Sequence, residues 1–415
     1  MTDAAGPAGD RLEVLDALRG FALLGILLAN ILYWSGWSLM TEPQRLALAG
    51  ADGALWQYRF HHLLVDGKFY TLFSMLFGAG FALQLQRLVR AGHDGLRIYR
   101  RRVLVLLAIG LVHPFVVWDG DILTLYALLG LALPLFHRWR DGALLWTGAT
   151  LVFVVPFAGM ALFEALGWAP HERLFALSFG IAERLGADTA PEQTIAWLRR
   201  EDAGGWLAWV ASGPLYSWGL RLEAWRIPKV LGIMLVGMWA GRRLADGSLL
   251  ADRARLWRVV VGGVALGLPP TLVHALRPGL GQSDWPSMLG TVPLACAYAA
   301  AFALAWPRAG RWLRVFVAPG RMALTNYLTH SLVGAIVFYG VGFGLVGHLP
   351  PLGIHAFAIG LFALQVVFSR AWLARHPQGP MEALWRRWTY RWGGAEGGGA
   401  GARVGAPTHR PRRST

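Results

Sequence analysis

Apolar residues in this chain gather into long blocks instead of alternating or repeating every few positions. About ten such blocks stand out, at 18–34, 69–85, 103–117, 122–136, 143–166, 228–241, 257–273, 288–306, 322–340 and 352–370. Each comes near the ~20 residues with which an α-helix crosses ~30 Å of hydrocarbon. The pattern predicts an all-α membrane protein with about ten transmembrane helices. The interruptions divide the chain into a cytoplasmic N-terminal segment (1–14), a polytopic membrane domain (15–392) and a basic, disordered cytoplasmic tail (393–415) rich in Gly, Arg and Pro. The first ten residues carry Asp3 and Asp10 and no basic residue, so no cleavable signal is expected.

The arginines orient the blocks. Arg87, Arg90, Arg97 and Arg100 to Arg102 follow the second block, and Arg138 and Arg140 the fourth. Arg242, Arg243, Arg253, Arg255 and Arg258 follow the sixth; Arg308, Arg311 and Arg314 follow the eighth. The tail after the tenth is basic again. Every second loop is therefore positive, which places those loops and both termini in the cytoplasm. The long stretch at about 167–227, with Trp and charge intermixed, falls on the extracytoplasmic side and reads as amphipathic helices lying on the membrane.

Composition supports the same setting. Only 15% of residues are charged and 55% are hydrophobic, against about 25% charged in a soluble domain. The net charge of +15 does not point to nucleic acid, because the arginines sit in the loops between apolar blocks. Lipid, not nucleic acid, is the expected partner; oligomeric state is not encoded legibly. The single cysteine, Cys296, excludes a disulfide within the chain and a metal site built on thiolates, and no metal is expected.

Four polar groups interrupt the apolar blocks, and a charge in a span costs at least about 2.5–3.5 kcal/mol. Asp16 and Arg19 are three apart at the start of the first block and share a helix face. They serve either as an interfacial ion pair or as a cytoplasmic anion-binding feature. Gly20, Gly25 and Ala29 follow with small surfaces suited to close helix packing. Asn30 lies about 21 Å further along a helix, toward the outer side. His62 and Asp66, four apart before the second span, have the build of a carboxylate-oriented base. In the turn between the third and fourth spans His113 precedes Asp119 and Asp121, which are too few oxygen ligands for a calcium loop. Finally, six of the seven residues from Thr325 to Ser331 can hydrogen-bond. So dense a cluster, including Asn326 and His330, is expected to line a cavity beside Arg321. No phosphate-binding glycine loop, HExxH or GxSxG motif is present.

Four strings, LDALRGFALLGILLANI (15–31), DGKFYTLFSMLFGAGFAL (66–83), HPFVVWDGDILTLYALLG (113–130) and GRMALTNYLTHS (320–331), resemble those of the YeiB-like family of bacterial membrane proteins, which carries a domain of unknown function. The resemblance runs from about residue 12 to 392. The opening Asp-x-x-Arg-Gly element, Asp16, Arg19 and Gly20, is similar to that of transmembrane acyltransferases of the heparan-alpha-glucosaminide N-acetyltransferase type. That likeness implies transfer of acetyl from cytoplasmic acetyl-CoA to a sugar on the far side, with an extracytoplasmic Asn and His. Asn30 fits the Asn; His62 and His113 compete for the His.

These readings combine into an expected inner-membrane, multi-pass acyltransferase of the cell envelope. Arg19, Arg101, Arg102 and Arg321, with Asp16, would hold the acyl-CoA, arginine suiting phosphate geometry. His62 or His113, oriented by Asp66, Asp119 or Asp121, would activate a glycan or small-molecule acceptor. Asn30 or Asn326 would stabilise the oxyanion. The alternative is a transporter or exporter that moves a small solute along the same polar path. A third is a membrane protein whose polar residues only pack its helices.

Overall fold

The computed structural model describes residues 7–391. The tail assigned to 393–415 and the first residues of the N-terminal segment lie outside them. The described residues are helical throughout, with no strand. In chain order the helices are α1 Pro7–Trp34, α2 Glu42–Phe60, α3 Lys68–Arg90, α4 Gly95–Val116, α5 Leu123–Ala132, α6 Asp141–Phe153, α7 Val155–Ala165, α8 Pro170–Arg184 and α9 Thr194–Leu198. They continue with α10 Ala203–Glu223, α11 Arg226–Ala245, α12 Ser248–Ala251, α13 Arg253–Leu276, α14 Trp285–Leu313, α15 Val317–Arg321, α16 Ala323–Phe338, α17 Pro351–Leu373 and α18 Pro380–Arg391. A π turn, His61–Val65, joins α2 to α3.

All ten apolar blocks are helical. Six stretches are long and apolar enough to cross a membrane: Glu13–Trp34, Glu42–Arg90, Asp141–Ala165, Arg253–Leu276, Trp285–Arg321 and Pro351–Leu373. Two shorter apolar stretches, Leu123–Phe136 and Ala323–Phe338, join them, and α4 and α11 carry arginines within their bounds. Leu111, Val112, Phe115, Trp146, Leu266 and Val367 stand exposed on these helices. Water disfavours apolar surface of that extent, and lipid accepts it.

Glycine sets the closest crossings. A Cβ on Gly20 of α1 would lie 2.0 Å from the Phe316 carbonyl oxygen, and one on Gly320 of α15 1.8 Å from that of Asp16. The same reciprocity joins α3 to α11, where a Cβ on Gly78 would meet the Met234 oxygen at 2.0 Å and one on Gly237 the Met75 oxygen at 2.1 Å. Backbone touches backbone at both crossings, the arrangement small residues permit in lipid. The expectation of tight packing at Gly20 is met.

The basic loops gather at one end of the bundle. Arg242 pairs with Asp141 at 3.1 Å and Arg314 with Glu13 at 3.1 Å. Leu15, Leu76 and Leu244 form one apolar cluster there, and the Trp385 indole donates to the Arg102 carbonyl at 2.7 Å. The stretch 167–227 belongs to the opposite end: Gly340 N–H donates to Leu198 O at 2.9 Å. It is not a surface appendage, however. Its 21-residue helix α10 packs against α4, α8 and α11 and buries Ser212, Ser217 and Arg221. Arginine, glycine and tryptophan hide a packed helix from the hydropathy pattern.

Candidate functional site

Two cavities occupy the two ends of the bundle. The larger, about 860 Å³, opens away from the basic loops. Asn30, His62, Asp66, Asp119 and Asp121 line it, as do Trp209, Ser217 and Arg221 of α10. The smaller, about 520 Å³, lies at the basic end and is lined by Asp16, Arg19, Arg87, Arg102 and Arg321. Ile26, Ile122 and Tyr327 line both cavities, so these three side chains form a common wall.

The turn after α4 builds one side of that wall. The His113 ring is buried, and its Nδ1 lies 3.1 Å from Asp121 Oδ1. Asp121 caps α5: its Oδ1 accepts from Leu123 N–H at 3.0 Å and its Oδ2 from Thr124 N–H at 2.7 Å. The helix N-terminus thus favours the carboxylate charge. Arg221 donates to the Asp121 carbonyl oxygen, tying α10 to the same turn. With Nδ1 committed to Asp121, the lone-pair nitrogen of His113 is Nε2. That atom is buried and has no hydrogen-bond partner among the described residues. The His113 ring centroid is 5.6 Å from that of Tyr327, whose hydroxyl accepts from Ile122 N–H at 3.2 Å. A buried, oriented imidazole with an unused nitrogen therefore sits against the wall between the cavities. Such an unsatisfied atom calls for a partner.

Asp119, two residues earlier, faces the larger cavity. It accepts from Trp209 Nε1 at 3.2 Å and from the Ser217 hydroxyl at 3.3 Å. Burial pushes its carboxyl up to about 6, because losing water disfavours the charged form more than the Ser217 and Trp209 donors, a backbone contact and the Arg221 charge together favour it.

The second His–Asp pair sits on the π turn in the same cavity. His62 Nδ1 lies 3.2 Å from Asp66 Oδ2, and Gln282 Nε2 donates to Asp66 Oδ1 at 2.7 Å. Gly67 follows with φ 74°, and a Cβ there would lie 2.5 Å from the Thr291 methyl. A left-handed backbone in so tight a place selects glycine and fixes where Asp66 points. Both a His62–Asp66 and a His113–Asp121 pair therefore form; Asn30, His62, Asp66 and Asp121 line the larger cavity, while His113 itself lines neither cavity and packs behind Tyr327.

At the basic end Asp16 and Arg19 pair at 2.5 Å while remaining partly open to the smaller cavity. Arg102 stacks over Trp385, 4.1 Å from the ring centroid. Of the expected phosphate-holding residues, Arg101 is not among those lining the cavity, and Arg87 takes a place there instead. Arg102 leads the third span and faces in, so its neighbour Arg101 points elsewhere on the helix.

The expectation that residues 325–331 line a cavity is corrected by their partners. Asn326 donates to Pro319 O and to Ser369 Oγ, both at 3.1 Å. His330 Nε2 lies 2.6 Å from Gln365 Oε1, and Thr325 donates to Glu382 at 2.6 Å. Thr329 and Ser331 bond back to the carbonyls four residues before them. Tyr327 is the residue of this stretch that reaches the cavities. Asn326 thus lines neither cavity and bonds to neighbouring helices instead. A one-dimensional pattern reveals polar density but not whether the partners come from the fold itself.

The residues that sequence reasoning misses come from remote segments. Arg221, Trp209 and Ser217 belong to the stretch assigned to the surface. Gln282 falls in the turn before α14 and Glu382 in the first turn of α18, neither within a motif. The one available signal is Arg221 and Arg226, two charges close to the sixth apolar block.

Comparison with known proteins places the chain in a family. Residues 241–392 match a family described as "Protein of unknown function (DUF418)". The uncharacterized protein YxaH of Bacillus subtilis (strain 168) is 28% identical over 396 residues, covering 92% of this chain and 94% of its own. The uncharacterized protein YeiB of Escherichia coli (strain K12) is 32% identical over 424 residues, covering 92% and 97%. An uncharacterized 39.9 kDa protein from the amylase 3' region of Bacillus acidopullulyticus is 30% identical over 395 residues, covering 92% and 94%. Over nearly its whole described length, then, the chain belongs to the YeiB-like family of membrane proteins.

Proposed function

We propose that this protein transfers an acyl group from an acyl-CoA held at its basic, cytoplasmic end to an acceptor in the larger cavity, which faces the other side of the bacterial inner membrane. The observation that carries the reading is the pair of cavities meeting at Ile26, Ile122 and Tyr327, with the His113 ring packed against Tyr327 of that wall and its Nε2 unpartnered among the described residues. Arg19, Arg87, Arg102 and Arg321 supply the donors that a phosphorylated carrier needs. The thioester end then points at the wall.

His113 is the base in this scheme, in preference to His62. Asp121 holds its ring and stabilises the imidazolium that forms. Nε2 takes the proton of an acceptor hydroxyl or amine as that atom attacks the thioester carbonyl. The tetrahedral intermediate collapses, the C–S bond breaks, and the leaving thiolate takes the proton from His113. The Asn30 amide and the Tyr327 hydroxyl are the neutral donors for the developing oxyanion. Aromatic side chains such as Tyr33, Tyr70 and Trp118 around the larger cavity suit a glycan acceptor.

Calorimetry of acetyl-CoA binding to the detergent-purified protein tests the reading. Binding lost in Arg19→Ala and in Arg321→Ala is the expected result; a folded protein that binds no acetyl-CoA overturns it. The same shared wall also suits a transporter that passes a small solute between the cavities. Uptake of an unmodified labelled solute into proteoliposomes, without any acyl transfer, would decide for that second reading.

A further inference from the structure

We infer that His62, Asp66 and His274 form a binding site for a divalent transition metal, zinc by preference, on the wall of the larger cavity. The inference is independent of the acyl-transfer reading, which places the base at His113.

Three chain positions converge there. His62 comes from the π turn, Asp66 from the residue that closes it, and His274 from the last turn of α13. One ligand atom from each lies within 4.8 Å of the other two. The 3.2 Å between His62 Nδ1 and Asp66 Oδ2 is close to the ~3.3 Å edge of a tetrahedron whose ligands stand about 2.0–2.1 Å from zinc. A metal ion there takes the place of the proton that the pair shares, and His274 supplies the third donor from within 4.8 Å. Two imidazoles and one carboxylate are a donor set that zinc accepts, with its fourth position open. That position faces the cavity that His62 and Asp66 line.

The surroundings orient the ligands as metal sites require. His274 Nε2 lies 3.2 Å from the Leu280 carbonyl oxygen, which leaves Nδ1 as its ligating nitrogen. Gln282 holds the Asp66 oxygen that does not face His62. The Tyr58 ring packs 4.2 Å from His62, and its hydroxyl reaches the carbonyls of His274 and Arg277 at 3.0 and 2.8 Å. That contact fastens the end of α13 beside the π turn. The two imidazole rings themselves lie 4.2 Å apart. A single π turn inside a helical stretch is also a recurrent feature of functional sites. Sequence spacing does not reveal the site because His274 lies far from His62 along the chain.

The test is metal content of the full-length protein, purified in detergent without chelator and measured by mass spectrometry, followed by cobalt substitution. About one zinc per chain is expected in the wild type, with near-complete loss in His274→Ala and Asp66→Asn. Gln282→Ala should weaken zinc affinity about tenfold. His113→Ala should keep its metal while losing transfer, so the two readings fail separately. Cobalt in the wild type should give the intense visible absorption of a four-coordinate ion, a readout that needs no variant. A wild-type protein that retains no zinc and gives no such cobalt spectrum overturns the site. So does metal retained equally in both ligand variants.

Discussion

Helix α16 and the turn after α4 are the two most polar places among the apolar helices, and they do opposite things. Along α16 nearly every hydrogen-bonding side chain from Thr325 to Ser331 finds its partner inside the protein, in Ser369, Gln365, Glu382 or a backbone carbonyl. In the turn His113 is held by Asp121 and its Nε2 has no partner among the described residues; His330 Nδ1 on α16 has none either, but the His113 ring lies 5.6 Å from that of Tyr327, which lines both cavities. The first arrangement spends its polarity on helix–helix association, as in other bilayer interiors. The second holds its imidazole with a carboxylate and sets it against the wall between the cavities. A candidate site is therefore marked less by polar density than by an oriented group placed beside a cavity wall.

Substitutions can break this contrast. The largest effect is expected at His113. In His113→Ala, transfer per folded molecule should fall by about 10²–10⁴-fold, beyond the stability loss of about 1–3 kcal/mol that removing a buried partner of Asp121 brings. A variant with wild-type transfer removes His113 from the chemistry. Next comes Gln365→Ala, which strips the partner from buried His330 and from the Asn326 carbonyl. It should cost about 1–3 kcal/mol of stability, with transfer per folded molecule unchanged. Loss of transfer at full stability would instead make α16 part of the site.

The smallest effect sharpens the turn itself. Burial holds the Asp119 carboxyl at about 6, against ~3.9 for a free Asp. The folded state keeps this proton over a pH range in which the unfolded chain has already lost it. Stability contributed by the group is therefore fully present below the unfolded value, falls as pH rises toward 6, and is constant above it. Asp119→Asn does not titrate. The stability advantage of the wild type over that variant should shrink between about pH 4 and about pH 6.5. A difference that stays level across this range would mean that Asp119 ionises as it does in water.

Features that depend on neighbours in the chain are legible in the amino-acid order. Ten apolar blocks correspond to ten helical regions, because in lipid only a helix satisfies its own backbone groups. The i, i+4 spacing brings His62 to Asp66, and the short turn keeps Asp119 and Asp121 near His113, since both relations are local. The arginine clusters predict which loops share an end, and Arg242–Asp141 and Arg314–Glu13 join segments of that set. The stretch 167–227 escapes the same reasoning because α10 buries Arg221 and packs its tryptophans against neighbours that a hydropathy window does not see.

By itself, then, the sequence determined helicity, the alternation of basic loops and the His62–Asp66 pair, all of which depend on residues near one another in the chain. Only the tertiary structure decided that Asp121 and not Asp119 meets His113, that Asn326 and His330 bond to α15 and α17, that α10 enters the core, and that His274 arrives beside His62 and Asp66. It also decided that the two cavities share Ile26, Ile122 and Tyr327. Those outcomes depend on which helix faces meet, and the contacts at Gly20, Gly320, Gly78 and Gly237 fix that by letting backbones touch. Contacts between distant segments leave no periodic trace in either segment alone, so one chain read in one dimension does not contain them in legible form.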